Sequence, residues 1–532
     1  MVTATTTPAI HQKLSRSPGM IGMVGFGIVL LIGLIYSAFH LLTDLSAAHN
    51  STTAYILLGI ALLVALGFEF VNGFHDTANA VATVIYTHTL EPHIAVVWSG
   101  FWNFLGVMAS SGLVAFGIIS LLPVELILQV GSKAGFAMVF ALLVAAIIWN
   151  LGTWWFGLPA SSSHTLIGSI IGVGIANQLM SPKTGTSGVD WAQATNIGKS
   201  LLLSPIVGFV CAYLLLTLMK AVIKNRALYE APVGEAPPPF WIRVLLMLTC
   251  TGVSFFHGSN DGQKGMGLIM LILVGTVPTA YALNHSITHK DSDDFIAVSQ
   301  QAAGILSKYV SPDAVIGDER EEVTAYIRTK EFTPNTMLAL RQLVSGIGNE
   351  TVLFGELARV PNDKVRNFRN DMYIASEALR LMKKNHQPAS PEISASDWSA
   401  LDNYKKHVDG ATRFIPTWVK VAVAMALGLG TMIGWKRIVV TVGEKIGKEH
   451  LTYGQGASAE ITAMFTIGLA DWFGLPVSTT HVLSSGIAGT MAANHSGLQW
   501  STVRNLAMAW VLTLPASMIL AGFLFWGFKN VF

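Results

Sequence analysis

Cysteine is nearly missing from this chain. Cys211 and Cys250 are all it has among 532 residues, which leaves no material for a disulfide framework or a cysteine-built metal site, and both read as packing residues in or beside apolar spans. Charge is scarce too: Asp, Glu, Lys and Arg supply 12% of residues, against roughly 25% in an average soluble protein. The net charge is only +2 and no Lys/Arg run interleaves with aromatics, so a nucleic-acid binder is excluded. A Gly-x-Ser-x-Gly elbow is also lacking, which argues against a serine hydrolase.

What the chain has in abundance is apolar sequence. Hydrophobic residues make up 52% of it and the mean hydropathy is +0.52. Runs near 20 to 42, 53 to 72, 93 to 119, 134 to 158, 199 to 222, 414 to 435, 455 to 475 and 504 to 528 approach or exceed the roughly 20 residues that cross a bilayer. The fold class expected is an all-α polytopic membrane protein. The first run follows Lys13 and Arg16, as a cleaved signal would, but its uninterrupted length from Met20 to His40 favours a retained helix.

Two motifs occur twice. Trp155-Phe-Gly-Leu-Pro-Ala-Ser-Ser-Ser-His164 returns as Trp472-Phe-Gly-Leu-Pro-Val-Ser-Thr-Thr-His481, and Asn72-Gly-Phe-His-Asp76 is answered by His257-Gly-Ser-Asn-Asp261. Such doubling is expected of a transporter built from two related repeats with broken helices. The second pair of motifs stands much further apart than the first, and a polar, amphipathic helical insert at 284–412 accounts for the excess. The expected organisation is an N-terminal extension with one extra helix (1–52), repeat 1 (53–223), a linker (224–239), the start of repeat 2 (240–283), the insert (284–412) and the rest of repeat 2 (413–532). Five crossings per repeat, an odd number, invert the second repeat. That count puts the basic groups Lys13/Arg16, Lys220/Lys224/Arg226 and Lys436/Arg437/Lys445/Lys448 on one side, as the charge rule for short loops asks, and the insert on the other.

A carboxylate at membrane depth costs roughly 2.5–3.5 kcal/mol, so Asp76 and Asp261 need a partner or a purpose. Proton or cation binding is one purpose; capping a helix or pairing with a neighbour is the structural alternative. Gly73, Gly258, Gly262 and Gly265 relax helix geometry, with Asn72, Asn79, Asn260 and Gln263 around them as neutral donors and acceptors, so that these segments are able to unwind and line a site. Pro159 and Pro476 predict helix breaks. The hydroxyls after them, Ser161, Ser162 and Ser163 in one cluster and Ser478, Thr479 and Thr480 in the other, predict new helix N-termini suited to a small oxyanion, unless they merely bond neighbouring helices. His164 and His481 are read first as anchors, with proton relay or metal ligation as alternatives. Glu69, Glu460 and Asp471 are secondary candidates for a proton path, and Trp149, Trp154 and Trp155 suit interfacial anchoring.

Across about 54–530, these four motifs in this order resemble the inorganic phosphate transporter (PiT) family, and their wording is most similar to its low-affinity, proton-coupled bacterial branch. The resemblance implies phosphate symport in a bacterial cytoplasmic (inner) membrane, with phosphate either free or complexed with a divalent metal, no cofactor, no enzymatic activity and no resident metal required. It also implies that Ser161, Ser162, Ser163, Ser478, Thr479, Thr480, Asn79 and Asn260 hold phosphate. Asp76 and Asp261 then serve the coupling ion, or the metal of a metal-phosphate. Two departures stand out: His75 occupies a position where the family usually has Asn, and Gln263-Lys264 replaces Ala-Asn. Lys264 is accordingly expected to stand in for a coupling sodium, the alternative being a lysine that snorkels from a helix end. A sulfate carrier of the same architecture, a selective channel and an intramembrane serine hydrolase are the rival readings. Partners beyond phosphate, protons and lipid are left open, a homodimer among them.

Overall fold

The structure, a computed structural model, describes residues 14, 20–46, 51–128, 130–180, 188–232, 234, 236–384 and 390–531, without the side chains of 20–23, 26, 74 and 76–79. Among these residues the chain is helical, with one isolated β-bridge between Gly447 and Leu498. The first half comprises α1 (Met20–Ser46), α2 (Thr52–Tyr86), α3 (Pro92–Ala109), α4 (Leu113–Ile119), α5 (Val124–Leu128), α6 (Lys133–Trp155), α7 (Ser162–Met180) and α8 (Trp191–Val222). Then come α9 (Phe240–Thr276) and α10 (Pro278–Tyr281). A polar group follows: α11 (His289–Ser307), α12 (Glu319–Thr329), α13 (Thr336–Phe354), α14 (Val365–Lys384) and α15 (Ala395–Thr412). The chain ends with α16 (Thr417–Gly434), α17 (Lys436–Glu444), α18 (Tyr453–Trp472), α19 (Thr479–Ala493) and α20 (Trp500–Val531).

Seven helices among the described residues are long and apolar enough to cross a membrane: α1, α2, α6, α8, α9, α16 and α20. The apolar run at 93–119 is not one straight span. It bends by 74° between α3 and α4, where Gly112 takes a left-handed φ of 87°. The run at 455–475 does form a helix, α18, but Glu460, Asp471 and many small polar residues keep it off that apolar set. Helices α7 and α19 are largely enclosed by protein, so their surfaces do not have to suit lipid, whereas α18 is buried through its first half and turns Phe465, Leu469 and Trp472 outward in its second. Outward-facing α1, α8 and α20 instead show bare Leu, Ile and Phe, among them Leu34, Leu202 and Ile519.

Packing between the halves is reciprocal. Helix α2 lies on α16 while α9 lies on α3; α7 pairs with α20 while α19 pairs with α8; and α2 touches α6 as α9 touches α18. The closest approaches repeat as well. A Cβ at Gly73 would sit 2.2 Å from the Leu427 carbonyl oxygen of α16, and one at Gly258 would sit 2.2 Å from that of Asn103 in α3. Only glycine fits either crossing. The first half of α2 (Leu58 to Phe68) shares a hydrophobic core with the last part of α9 (Met266 to Leu273), whereas the end of α2 (Ala80 to Tyr86) shares another with the start of α9 (Ile242 to Val253). The two helices therefore run past each other in opposite directions, with their polar middles between two apolar cores. A third core gathers residues from α11 to α15 with Val124, Ala282 and Leu283, and gives the polar insert its own interior.

One sequence expectation is overturned. The glycine-rich acid segments do not unwind: α2 and α9 stay helical through Gly73 and through Gly258, Gly262 and Gly265, because those glycines are used for close helix packing. The breaks fall at the Pro-Ser and Pro-Thr clusters instead.

Candidate functional site

Each cluster begins with a helix stop. Gly157 and Gly474 both take φ 65°, and the N–H of Leu158 donates to the Thr153 carbonyl at 3.0 Å as Leu475 donates to Ala470 at 2.8 Å. This glycine-centred C-cap ends α6 and α18, and the following proline prevents resumption of the helix. In both copies a new helix starts three residues after the proline, at Ser162 and at Thr479. Ser161 Oγ accepts from the His164 N–H at 3.2 Å and Ser478 Oγ accepts from the His481 N–H at 3.1 Å, so the first hydroxyl of each cluster caps α7 or α19.

The two helix tips meet. Ser163 Oγ donates to the Val477 carbonyl at 2.8 Å, a bond from one cluster directly to the other. His164 and His481 face each other with ring centroids 4.5 Å apart, and Trp510 of α20 stacks on His481 at 4.2 Å while its Nε1–H donates to the Pro159 carbonyl at 3.1 Å. Thr480 is buried beside them. The second hydroxyls, Ser162 Oγ and Thr479 Oγ1, are buried with no hydrogen-bond partner among the described residues. They occupy the same position in the two motifs. Unsatisfied buried hydroxyls are uncommon, and two at equivalent positions on facing helix N-termini are groups able to donate to acceptor oxygens.

Helix α9 brings charge alongside. Asn260 Nδ2 donates to the Leu475 carbonyl at 3.2 Å, which ties the acid motif to the second cluster, and its Oδ1 has no partner among the described residues. Lys264 Nζ lies 2.7 Å from Asp261 Oδ1, both fully buried, and His257 Nε2 lies 3.6 Å from Oδ2 of the same carboxylate. The lysine therefore does not snorkel. Its ammonium also acts electrostatically on His164 at the first tip and on Glu69 of α2. Glu69 accepts from Asn72 Nδ2 at 3.3 Å and rests against Gly265, where a Cβ would approach its carboxylate to 2.4 Å.

Other predicted residues hold the frame. His75 Nε2 contacts the Asn150 carbonyl at 2.6 Å, which anchors α2 to α6, and Thr165 Oγ1 donates to Asn150 Oδ1 at 2.9 Å. Gln263 is fully engaged: its Nε2 donates to Asp471 Oδ1 at 2.7 Å and to the Ser259 carbonyl at 2.9 Å, and its Oε1 accepts from the Val114 N–H at 2.9 Å. Asp471 also accepts from Ser259 Oγ at 2.6 Å. Asp76 and Asn79 lie on the backbone of α2, but their side chains fall outside the described residues.

Sequence reasoning missed three participants. His257, in contact with Asn103 Oδ1 at 2.6 Å, stands four residues before Asp261, and that helical spacing was the available signal. Asn150 and Trp510 gave no signal. Glu460 was visible as an isolated acid, yet the threonines that donate to it, Thr83 of α2 and Thr249 of α9, were not. In contrast to Asp261, Glu460 has no cation against it among the described residues.

The model of the phosphate transporter family matches residues 72–521. The low-affinity inorganic phosphate transporter PitA of Escherichia coli (strain K12) is 44% identical over 494 residues, covering 88% of this chain and 96% of that protein. PitB of the same strain is 41% identical over 488 residues with the same coverage. The probable low-affinity inorganic phosphate transporter of Bacillus subtilis (strain 168) is 28% identical over 478 residues, or 90% of this chain and 98% of that one. A solved structure titled the sodium-dependent phosphate transporter aligns over 90% of this chain and 100% of its own at 17% identity and a TM-score of 0.49, too loose a likeness to place elements by.

Proposed function

We propose a function from one premise: the chain belongs to the phosphate transporter family. It is an integral membrane transporter rather than an enzyme, and it imports inorganic phosphate. Import proceeds by proton symport across the bacterial cytoplasmic (inner) membrane, through two inverted repeats related by a pseudo-twofold axis. The opposite run of α2 and α9 supports the inversion, and the reciprocal helix contacts support the axis.

The observation that carries the reading is the pair of facing helix N-termini whose second hydroxyls, Ser162 and Thr479, have no hydrogen-bond partner among the described residues. These hydroxyls and the tip N–H groups hold phosphate oxygens. Ser161, Ser163, Ser478 and Thr480 keep the tips in shape, and Asn260 Oδ1, an acceptor, receives the P–OH of a protonated phosphate. Sulfate near neutral pH has no such proton, so the same acceptor disfavours it. Asp261 and Lys264 form a buried neutral pair at the site's edge. Lys264 supplies the fixed positive charge that a coupling sodium would otherwise bring, while Asp76 and Asp261 exchange the coupling proton or meet the metal of a metal-phosphate. Asn79 belongs to the phosphate ring. Gln263 acts by tying Asp471 and the start of α4 to α9, and Glu69 tunes the lysine.

Reconstitution into liposomes with labelled phosphate tests the reading. An inward proton gradient should drive accumulation and a sodium gradient alone should not. Sodium-driven accumulation, or equilibration without accumulation under either gradient, would overturn it.

A further inference from the structure

A second basic site lies away from the helix tips, where the polar insert meets the ends of α6 and α9. A cavity of about 310 Å³ opens there, lined among others by Arg366, Asn367, Arg369 and Asn370 of α14, by Ser132 at the start of α6 and by Gly275 at the end of α9. The two arginines stand three positions apart on one helix face. Neither pairs with a carboxylate among the described residues, and the lining contains no Asp or Glu. Arg366 donates one N–H to the Gly275 carbonyl at 3.3 Å; Arg369 lies over the Tyr373 ring at 5.1 Å and its Nε is buried without a hydrogen-bond partner. Burial pulls the Arg369 guanidinium down to about 10, which still leaves it charged at neutral pH. By contrast, Arg320, Arg359 and Arg380 of the same insert each meet an acid.

The buried Arg369 Nε is costly to keep uncompensated unless an anion joins it, and the exposed Arg366 lines the same cavity with a second positive charge. The cavity is also polar in the manner a phosphate group requires, with two asparagine amides beside the arginine forks. Ser132 caps the 23-residue α6, so the positive end of that helix borders the same space. We propose that this cavity binds a phosphate-bearing anion, either dissolved inorganic phosphate or the phosphate of an anionic lipid headgroup, and that occupancy fastens the insert to α6 and α9. Both helices lead to the transport site: α6 ends at the Gly157 stop before Ser161, and α9 carries Asp261 and Lys264. The cavity is thus placed to adjust transport from a distance.

The full chain in neutral detergent, wild type against Arg366→Gln, tests this with two readouts. Arg366 is exposed, so this variant is expected to melt as the wild type does. Equilibrium binding of labelled inorganic phosphate measures the first source; a second class of sites in the wild type, weakened roughly tenfold or more in the variant while the first class persists, identifies dissolved phosphate. Retained phosphatidylglycerol, counted by native mass spectrometry, measures the second; its loss in the variant identifies a headgroup. Arg366→Lys, which keeps the charge without the fork, should fall between the two. Equal phosphate binding together with equal lipid retention in wild type and Arg366→Gln overturns the site, and Arg369→Gln repeats the comparison should Arg366→Gln melt early. Failure here leaves the gradient-driven uptake assay untouched, so it is distinguishable from failure of the transport reading.

Discussion

The helix tips and the acid segments have diverged to different degrees between the two halves. At the tips the copies are close: Gly157 and Gly474 share one φ, Ser161 and Ser478 cap alike, and neither Ser162 nor Thr479 has a hydrogen-bond partner among the described residues. Along α2 and α9 they are not. Where α9 has His257, Gln263 and Lys264 around Asp261, the matching positions of α2 are Asn72, Ala78 and Asn79 around Asp76. A tetrahedral anion can be gripped from two sides by like groups, so the conserved symmetry fits substrate binding. Coupling requires a single polarity of charge, and there the symmetry is gone.

The comparison breaks most sharply at the buried pair. Asp261→Asn leaves the Lys264 ammonium enclosed without its partner, at a cost of roughly 3–5 kcal/mol, so the variant should melt much earlier and lose uptake. Asp261→Asn combined with Lys264→Met should recover the melting temperature and stay inactive; normal accumulation in either would remove the pair from the mechanism. Lys264→Asn, which gives α9 the residue α2 has, should shift uptake from proton towards sodium dependence. An unchanged response to both ions would leave the lysine no part in coupling.

At the symmetric end, Ser162→Ala and Thr479→Val should each weaken uptake by roughly tenfold, in line with losing a hydrogen bond to a charged group. Neither should alter melting, because neither hydroxyl has a hydrogen-bond partner among the described residues. A loss confined to one tip would show that the grip is one-sided. The smallest effect belongs outside the membrane, at Asp190, the N-cap of α8. Burial pushes its carboxyl up, but the hydrogen bond and charge of Arg380, with Lys330, outweigh burial and hold it down at about 2. A depressed carboxyl stabilises above its ordinary value and loses that contribution as pH falls through its folded one, so the docking of the insert should weaken between about pH 4 and pH 2. Asp190→Asn should cost on the order of 1 kcal/mol at neutral pH, a value discounted for the partial exposure of the site, and should abolish that acid-side slope in a melting series.

Much of this was legible in the sequence. The doubled Trp-Phe-Gly-Leu-Pro segment encodes a helix stop through Gly and Pro and a restart through Ser, all local effects, and the structure places each where the spacing predicts. The buried place of Lys264 was not legible, since a lysine at a helix end and one paired inside a bundle look alike until the neighbouring helices are known. The acid segments misled for a related reason: glycine permits unwinding and close packing equally, and only the presence of α3 and α16 against Gly258 and Gly73 decides between them. Asn150 and Trp510 act through contacts with residues distant in sequence, which no local pattern encodes.

The most direct measurement is a structure of the chain with phosphate bound. Density for the anion should touch both Ser162 Oγ and Thr479 Oγ1, within hydrogen-bond reach of each and beside Asn260. Phosphate seated on one tip alone, or away from both, would contradict the two-sided grip on which the account stands.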